Sequence, residues 1–215
     1  CSSFIDKCDT RFLQKLRIAV RSQDSDVRLA AVELVATSSR NIEPITESEF
    51  KFILDVVPIC LMPGALRYET SRIQQALRKF MERTAVSRSS ALSCGGWWSK
   101  EKNALHNGMR TELFERRRLE YLNTVDAFVG SISACAIYFT FPGSAPDRRK
   151  AGLELLSHVA ASVGSEYTLT ASARSCDSNS IAVMLTPILQ CITDVWELPR
   201  LLALSFISGL QPSMS

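Results

Sequence analysis

Apolar residues recur along this chain at intervals of three and four, in stretches separated by short polar or proline-containing breaks. That spacing places them on one side of an α-helix. In VRLAAVELVATS, Val27, Ala30, Ala31, Leu34, Val35 and Ser38 form one stripe, while Leu29, Val32 and Ala36 form a second. This helix is therefore expected to be covered on two sides. The Asp-Ser-Asp just ahead supplies capping side chains and negative charge where the helix dipole favours it. The next segment, ITESEFKFILDVVPICLM, opens with Thr46 and Glu49 at capping-box spacing and Ile45 and Phe50 placed as a hydrophobic staple. Pro58 is expected to bend it and Pro63-Gly64 to end it. SRIQQALRKFMERT puts Ile73, Ala76, Leu77, Phe80 and Met81 on one side, with Arg72, Gln75, Arg78, Lys79, Glu82 and Arg83 around the rest. That pattern predicts a half-exposed helix with a basic outer surface.

Residues 87–110 break the pattern with Ser, Gly and Asn, and read as a long loop holding a short helical piece. A long helix is predicted from Thr111 to Tyr138, its inner seam running through Leu122, Val125, Val129, Ile132, Ala136 and on to Phe139. Pro142-Gly143 should stop it. Ser144 is placed to cap the following helix, with Pro146 and Asp147 in its first turn and Leu153, Leu156, Val159 and Ala160 facing inward. Helices over Ile181–Trp196 and Leu198–Leu210 complete the reading.

Seven or eight consecutive helices without a strand pattern make an all-α chain. DSDVRLAAVELV, YETSRIQQALRKF, APDRRKAGLELL and WELPRLLALSFI share one layout, a polar or proline turn, an arginine, then an apolar helix. Arg28, Arg72, Arg149 and Arg200 hold the matching place, at spacings of 44, 77 and 51 residues. HEAT and armadillo repeats run to roughly 40–47 residues, and a hairpin that cannot bury its apolar faces alone stacks on its neighbours. The expected architecture is a HEAT/armadillo-like α-solenoid of stacked helical hairpins. Residues 1–86 and 111–215 form its repeats and 87–110 a loop insertion, all in one continuous fragment. A globular helical bundle is the alternative arrangement. The recurring arginine is expected to do a packing job, bonding adjacent hairpins or turn carbonyls.

Composition narrows the picture. The 215 residues begin with Cys1, with no methionine before Met62, as expected of a segment of a longer protein. The uncharged run between Asp126 and Asp147 is too rich in Ser, Thr, Gly and Pro for a membrane span, and no signal peptide is evident. Seven cysteines without C-x-x-C spacing suit reduced thiols, and hence a cytoplasmic protein. The net charge is +3, but residues 63–120 hold 12 Lys/Arg against 6 Asp/Glu. That asymmetry suits an acidic partner such as RNA, and equally the solvated face of two helices.

No catalytic set emerges, and no cofactor or metal is implied. Of the two histidines, His158 sits within an apolar helix and His106 in the polar insertion. Cys94 and His106 lack the paired spacing of a zinc site, and CGGWW lacks the lysine and flanks of a phosphate loop. The candidate binding residues are Trp97 and Trp98, for stacking or docking, and the cations Lys100, Lys102, Arg110, Arg116, Arg117 and Arg118. Against a binding role, a tryptophan can pin the insertion to the stack, and Glu112, Glu115 and Glu120 stand at pairing distance from the arginines.

Three stretches in order carry a resemblance: ETSRIQQALRKFMERTAVSRSS, then YLNTVDAFVGSISACAIYFTFPGSAPDRRKAGLELLSHVA, then VMLTPILQCITDVWELPRLLALSFISGL. Together they resemble a central part of the thyroid adenoma-associated protein (THADA) family, over roughly residues 45 to 210, with Phe141-Pro142-Gly143-Ser144 the most specific piece. The resemblance implies a large HEAT-like solenoid acting as the non-catalytic partner of an S-adenosylmethionine-dependent tRNA 2′-O-methyltransferase that modifies the anticodon loop, with tRNA itself a further candidate partner. RRKAGLELL at Arg148–Leu156 looks similar to the family's Arg-Arg-x-Ala-Gly-Leu/Ile-Pro motif but lacks the proline, so that motif's role is not carried over. The competing expectation is a protein-binding HEAT-repeat scaffold that never touches RNA.

Overall fold

Three of the helices begin where the chain offers their first amides a partner or removes the need for one. The computed structural model describes residues 2–37, 43–61, 67–104, 108–176 and 180–210, with side chains from residue 11 onward apart from 67, 68 and 108–110. Among these the chain is all-α. Helix α1 spans Ser2–Ala19, α2 Ser25–Ala36, α3 Glu47–Cys60, α4 Arg67–Ser93 and α5 Gly96–Ala104. Then come α6 (Gly108–Phe139), α7 (Pro146–Val163), α8 (Ser165–Ser175), α9 (Ile181–Cys191) and α10 (Glu197–Ser208). Asp24 caps α2, accepting from the amides of Asp26 and Val27. Thr46 and Glu49 exchange the reciprocal bonds of the capping box at the start of α3. For α7, Pro146 in the first turn removes an amide that would lack a partner, and Ala145 is the N-cap. Ser144 therefore does not cap this helix with its side chain, as the sequence suggested. It is the Ser144 carbonyl that matters, because Arg149 donates to it.

Residues 87–110 correct the sequence reading further. Residues 87–93 complete the 27-residue α4, and 96–104 form α5. Residues 105–107 and 62–66, with the Pro63-Gly64 stop and His106, lie outside the described residues. Pro58 falls in the last turn of α3. Helix α9 stops at Cys191, ahead of the expected Trp196, where Asp194 accepts from the Trp196 amide at 3.0 Å and turns the chain into α10. The sequence did not single out α8. Its buried positions are Thr168, Leu169, Ala171, Ser172 and Ala173, and all but Leu169 are small residues that read as neither core nor surface.

The helices pack against one another in many pairs, α6 on α7 among the densest. α2 packs on α4, α4 on α7 and α7 on α10, while α1 packs on α3, α3 on α6, and α6 on α8 and α9. One hydrophobic core runs through these elements from Leu13 to Phe206, with Phe50, Phe80 and Phe128 mutually packed in it, the Phe50 and Phe128 rings 4.5 Å apart. Each such ring removed from water contributes about 1.5–3 kcal/mol. Two glycines set the closest approaches. A Cβ on Gly130 of α6 would lie 2.5 Å from the Ala171 carbonyl of α8, and one on Gly152 of α7 would lie 2.6 Å from the Ala136 carbonyl of α6. Helix α2 departs from the two-sided coverage expected of it: Leu29, Val32, Val35 and Ala36 are buried, but Val27 and Leu34 face solvent.

The recurring arginines brace this packing. Arg28 of α2 donates from Nη1 to the carbonyls of Ser22 and Gln23, and holds both carboxylate oxygens of Glu69 on α4. Arg149 of α7 bonds the carbonyls of Pro142 and Ser144 and both oxygens of Asp194. Arg200 bonds the carbonyls of Asp194 and Val195, and Arg72 reaches Glu33 on α2. The packing role read from the sequence is what these side chains perform. A guanidinium suits it because its fork presents two edges at once.

Candidate partner-binding surface

The residues singled out between Trp97 and Arg118 converge on one corner of the molecule. The C-terminal end of α4, the whole of α5 and the N-terminal half of α6 meet around a second, smaller core of Ala91, Trp98 and Phe114. Helices α4 and α6 have 27 and 32 residues, and α2 and α3 have 12 and 14, so the longer pair extends past its neighbours. Cys94 and Gly96 adopt left-handed backbone (φ 54° and 56°), and Ser90 Oγ donates to the Gly95 carbonyl at 2.8 Å. This reversal folds α5 back against α4 and α6. In CGGWW, Cys94 and Gly95 make the turn that follows α4, and Gly96, Trp97 and Trp98 open α5.

The two tryptophans divide. Trp98 is 4% exposed, with its ring 6.0 Å from Phe114 and 5.4 Å from Tyr121, so it cannot stack on a base and instead forms the corner's core. Trp97 meets it edge-on at 4.9 Å and is half-buried. The cations divide as well. Arg118 is held by Glu115 at 2.6 and 2.9 Å and donates to the Ala91 carbonyl at 3.0 Å, tying α6 to the end of α4. Arg116 pairs with Glu120 at 2.9 Å and Arg117 with Glu101 at 3.7 Å, both arginines well exposed. Surface pairs of this kind contribute only about 0–1 kcal/mol and exchange readily for an external anion. Lys100 and Lys102 are exposed, with no carboxylate within ion-pair distance among the described residues. The Arg110 side chain lies outside the described residues. The cations open to a partner are therefore Lys100, Lys102, Arg116 and Arg117.

Burial, reinforced by Arg78, lowers the pKa of half-buried His158 and keeps it neutral. Burial pushes the Cys60 thiol up to about 12 and the Cys191 thiol up to about 11, which suppresses their thiolates. No group of three or more His, Cys, Asp or Glu side chains among the described residues could hold a metal. A cavity of about 260 Å³ between α2, α3 and α4 is walled by Arg28, Cys60 and Glu69, of which Arg28 and Glu69 already pair with each other. Arg88, Asp126 and Tyr167 join α4, α6 and α8, with the Arg88 guanidinium 4.2 Å over the Tyr167 ring and the Tyr167 hydroxyl donating to Asp126. Thr111–Phe139 is long and apolar enough to cross a membrane by length and composition alone. Here it is the helix against which α3, α4, α7, α8 and α9 pack.

A second surface escaped the sequence reading. Val195 is 89% exposed, and Trp196 ahead of α10 and Leu198, Leu201 and Leu204 along it are open as well. In sequence these residues are indistinguishable from core. Compared with known protein families, with proteins of assigned function and with solved structures, the chain finds no match in any of the three.

Proposed function

We propose that this chain is part of a non-catalytic α-solenoid scaffold of stacked HEAT-like hairpins. On this reading it supports 2′-O-ribose methylation of a tRNA anticodon loop by a separate S-adenosylmethionine-dependent methyltransferase in the cytoplasm. The observation that carries the scaffold half is the serial packing of α2, α4, α7 and α10, with first-turn arginines reaching from one hairpin to the next. The resemblance to the thyroid adenoma-associated protein family supplies the tRNA and the enzyme. The RNA-facing part of the proposal is the α5–α6 corner, where Lys100, Lys102, Arg116 and Arg117 offer their charge to a phosphate backbone while the partner performs the chemistry.

The test is tRNA binding measured over a series of salt concentrations. Replacing Lys100, Lys102, Arg116 and Arg117 together with Glu should weaken binding and reduce the slope of log affinity against log salt by roughly 0.7–0.9 for each phosphate no longer neutralised. Arg118 is left in place because it holds the Ala91 carbonyl. An unchanged slope would remove this corner from the RNA interface. A second reading, a protein-binding scaffold that does not touch RNA, is favoured by the exposed apolar residues around Trp196. Absence of tRNA binding at every salt concentration would select it.

A further inference from the structure

Arg28 and Arg149 are held in one geometry. Arg28 Nη1 donates to the carbonyls of Ser22 and Gln23, six and five residues back, at 2.6 and 2.9 Å. Its Nε–Nη2 edge takes both oxygens of Glu69 at 2.6 and 2.8 Å. Arg149 Nη1 donates to the carbonyls of Pro142 and Ser144, and its Nε–Nη2 edge takes both oxygens of Asp194 at 2.5 and 2.9 Å. Each carboxylate stands at the start of the helix packed alongside. Glu69 lies in the first turn of α4, and Asp194 lies two residues ahead of Trp196, the N-cap of α10. Arg72, the other arginine of the series, reaches back to Glu33 instead.

Arg200 has half of this geometry. Its Nη1 donates to the carbonyls of Asp194 and Val195, again six and five residues back, at 2.8 and 3.1 Å. The guanidinium is therefore aimed as that of Arg28 is, yet no carboxylate among the described residues lies within ion-pair distance of its Nε–Nη2 edge. The apolar positions differ in the same way at equal register. Four residues after the arginine, Val32 and Leu153 are fully buried, whereas Leu204 is 45% exposed. One residue after it, Leu29 is buried in α2, whereas Leu201 is 53% exposed in α10. Where the fork is filled, α2 carries α4 and α7 carries α10. An open fork and uncovered leucines thus occur together on α10.

We propose that this face of α10 seats one further helix, supplied by a hairpin that follows it in the same polypeptide, whose start brings an Asp or Glu onto the open edge of Arg200. The two filled forks identify the occupant. Both take a carboxylate, whose two oxygens match the two parallel N–H groups of the edge. Both take it from a helix later in the same chain, 41 and 45 residues beyond the arginine. The mate of Arg200 therefore lies about 41–45 residues beyond it, at the head of a helix whose apolar side covers Leu201 and Leu204. This inference rests on the stacked-hairpin reading and on nothing concerning RNA. Its carriers are the unfilled guanidinium edge and the two uncovered leucines.

Hydroxyl-radical footprinting of the whole polypeptide that contains these residues tests it, because the radical oxidises only leucines it can reach. Leu201 and Leu204 should lose their reactivity down to the level of buried Leu153, while Leu119, 54% exposed, keeps its own. Arg200→Glu should return reactivity to Leu201 and Leu204 but not to Leu153, which separates the seat from the fold. Changing one Asp or Glu in the stretch about 41–45 residues beyond Arg200 to Arg should expose the same two leucines without touching the turn that Arg200 holds. Combined with Arg200→Glu, that change should protect them again. Four results would each overturn the proposal: Leu201 and Leu204 reactive in the whole polypeptide, protection indifferent to Arg200→Glu, no acidic position that rescues it, or protection appearing only when another protein or a higher concentration is supplied. Loss of tRNA binding would leave these results untouched. Failure of the Arg149–Asp194 joint to contribute to folding would strike the stacking reading itself.

Discussion

Arg149 and Asp194 offer the most direct measurement of what joins α10 to α7. Their side chains retain 10% and 7% of their exposure, and two hydrogen bonds of 2.5 and 2.9 Å connect them. Arg149→Ala leaves the Asp194 carboxylate buried with only the Trp196 amide for company, and releases the Pro142 and Ser144 carbonyls. Removing one partner of a buried ion pair costs about 3–5 kcal/mol. Asp194→Ala should cost a similar amount, since the guanidinium is then stranded in turn. The double variant should cost well below the sum, with a coupling of about 2–3 kcal/mol, at the upper end for groups in one network. Urea unfolding followed by circular dichroism at neutral pH, on the four proteins of the cycle, reads these values. The same pair has a pH signature. Burial alone would raise the Asp194 carboxyl, but the bonds from Arg149 and the Trp196 amide outweigh it and hold the group below the usual range. A depressed folded pKa means that the stabilisation is complete above the unfolded value of about 4 and fades as pH falls through the folded one. Asp194→Asn should flatten that acid limb. Single substitutions costing under about 1 kcal/mol, or costs that simply add, would refute the claim that this joint holds α10 in place.

Two further outcomes follow from the packing. Gly130→Ala and Gly152→Ala each drive a methyl to within 2.6 Å of a backbone carbonyl, so each should destabilise by about 1–3 kcal/mol or more; Gly143→Ala, with nothing within 4 Å, should be near neutral in the same unfolding assay. His158 has a pKa lowered by burial and Arg78, so the unfolded chain takes up its proton first as pH drops. Stability should fall below about pH 6.5 and continue to fall through the lower folded value, and His158→Gln should remove that limb of the pH–stability curve.

The helices were legible where local chemistry dictates them. Thr46 with Glu49, and the Ile73–Met81 stripe, act as their spacing predicts because capping and a single buried face depend on neighbours only a turn or two away. The arginine braces were half legible. Recurrence marked Arg28, Arg149 and Arg200, but Glu69 and Asp194 lie 41 and 45 residues from their partners and carry no local mark. Residues 87–104 misled because Ser and Gly lower helix propensity, whereas the burial of Ala91 and Trp98 against Phe114 overrides it. The same burial removed Trp98 from the candidate site. Leu198 and Leu201 misled in the other direction, since hydrophobicity does not reveal whether a neighbour is present to cover it.

Helix α6 enters both cores as one unbroken rod, with Phe114 in the small cluster and Phe128 in the large one. A helix turns about 100° per residue, so inserting one residue between those phenylalanines would swing either ring away from its cluster. Length can change here only in steps that restore the angular phase, about seven residues or two turns at a time. The corner bearing Lys100 and Arg117 is thereby geared to the rest of the molecule, and drift between the two by single insertions is forbidden.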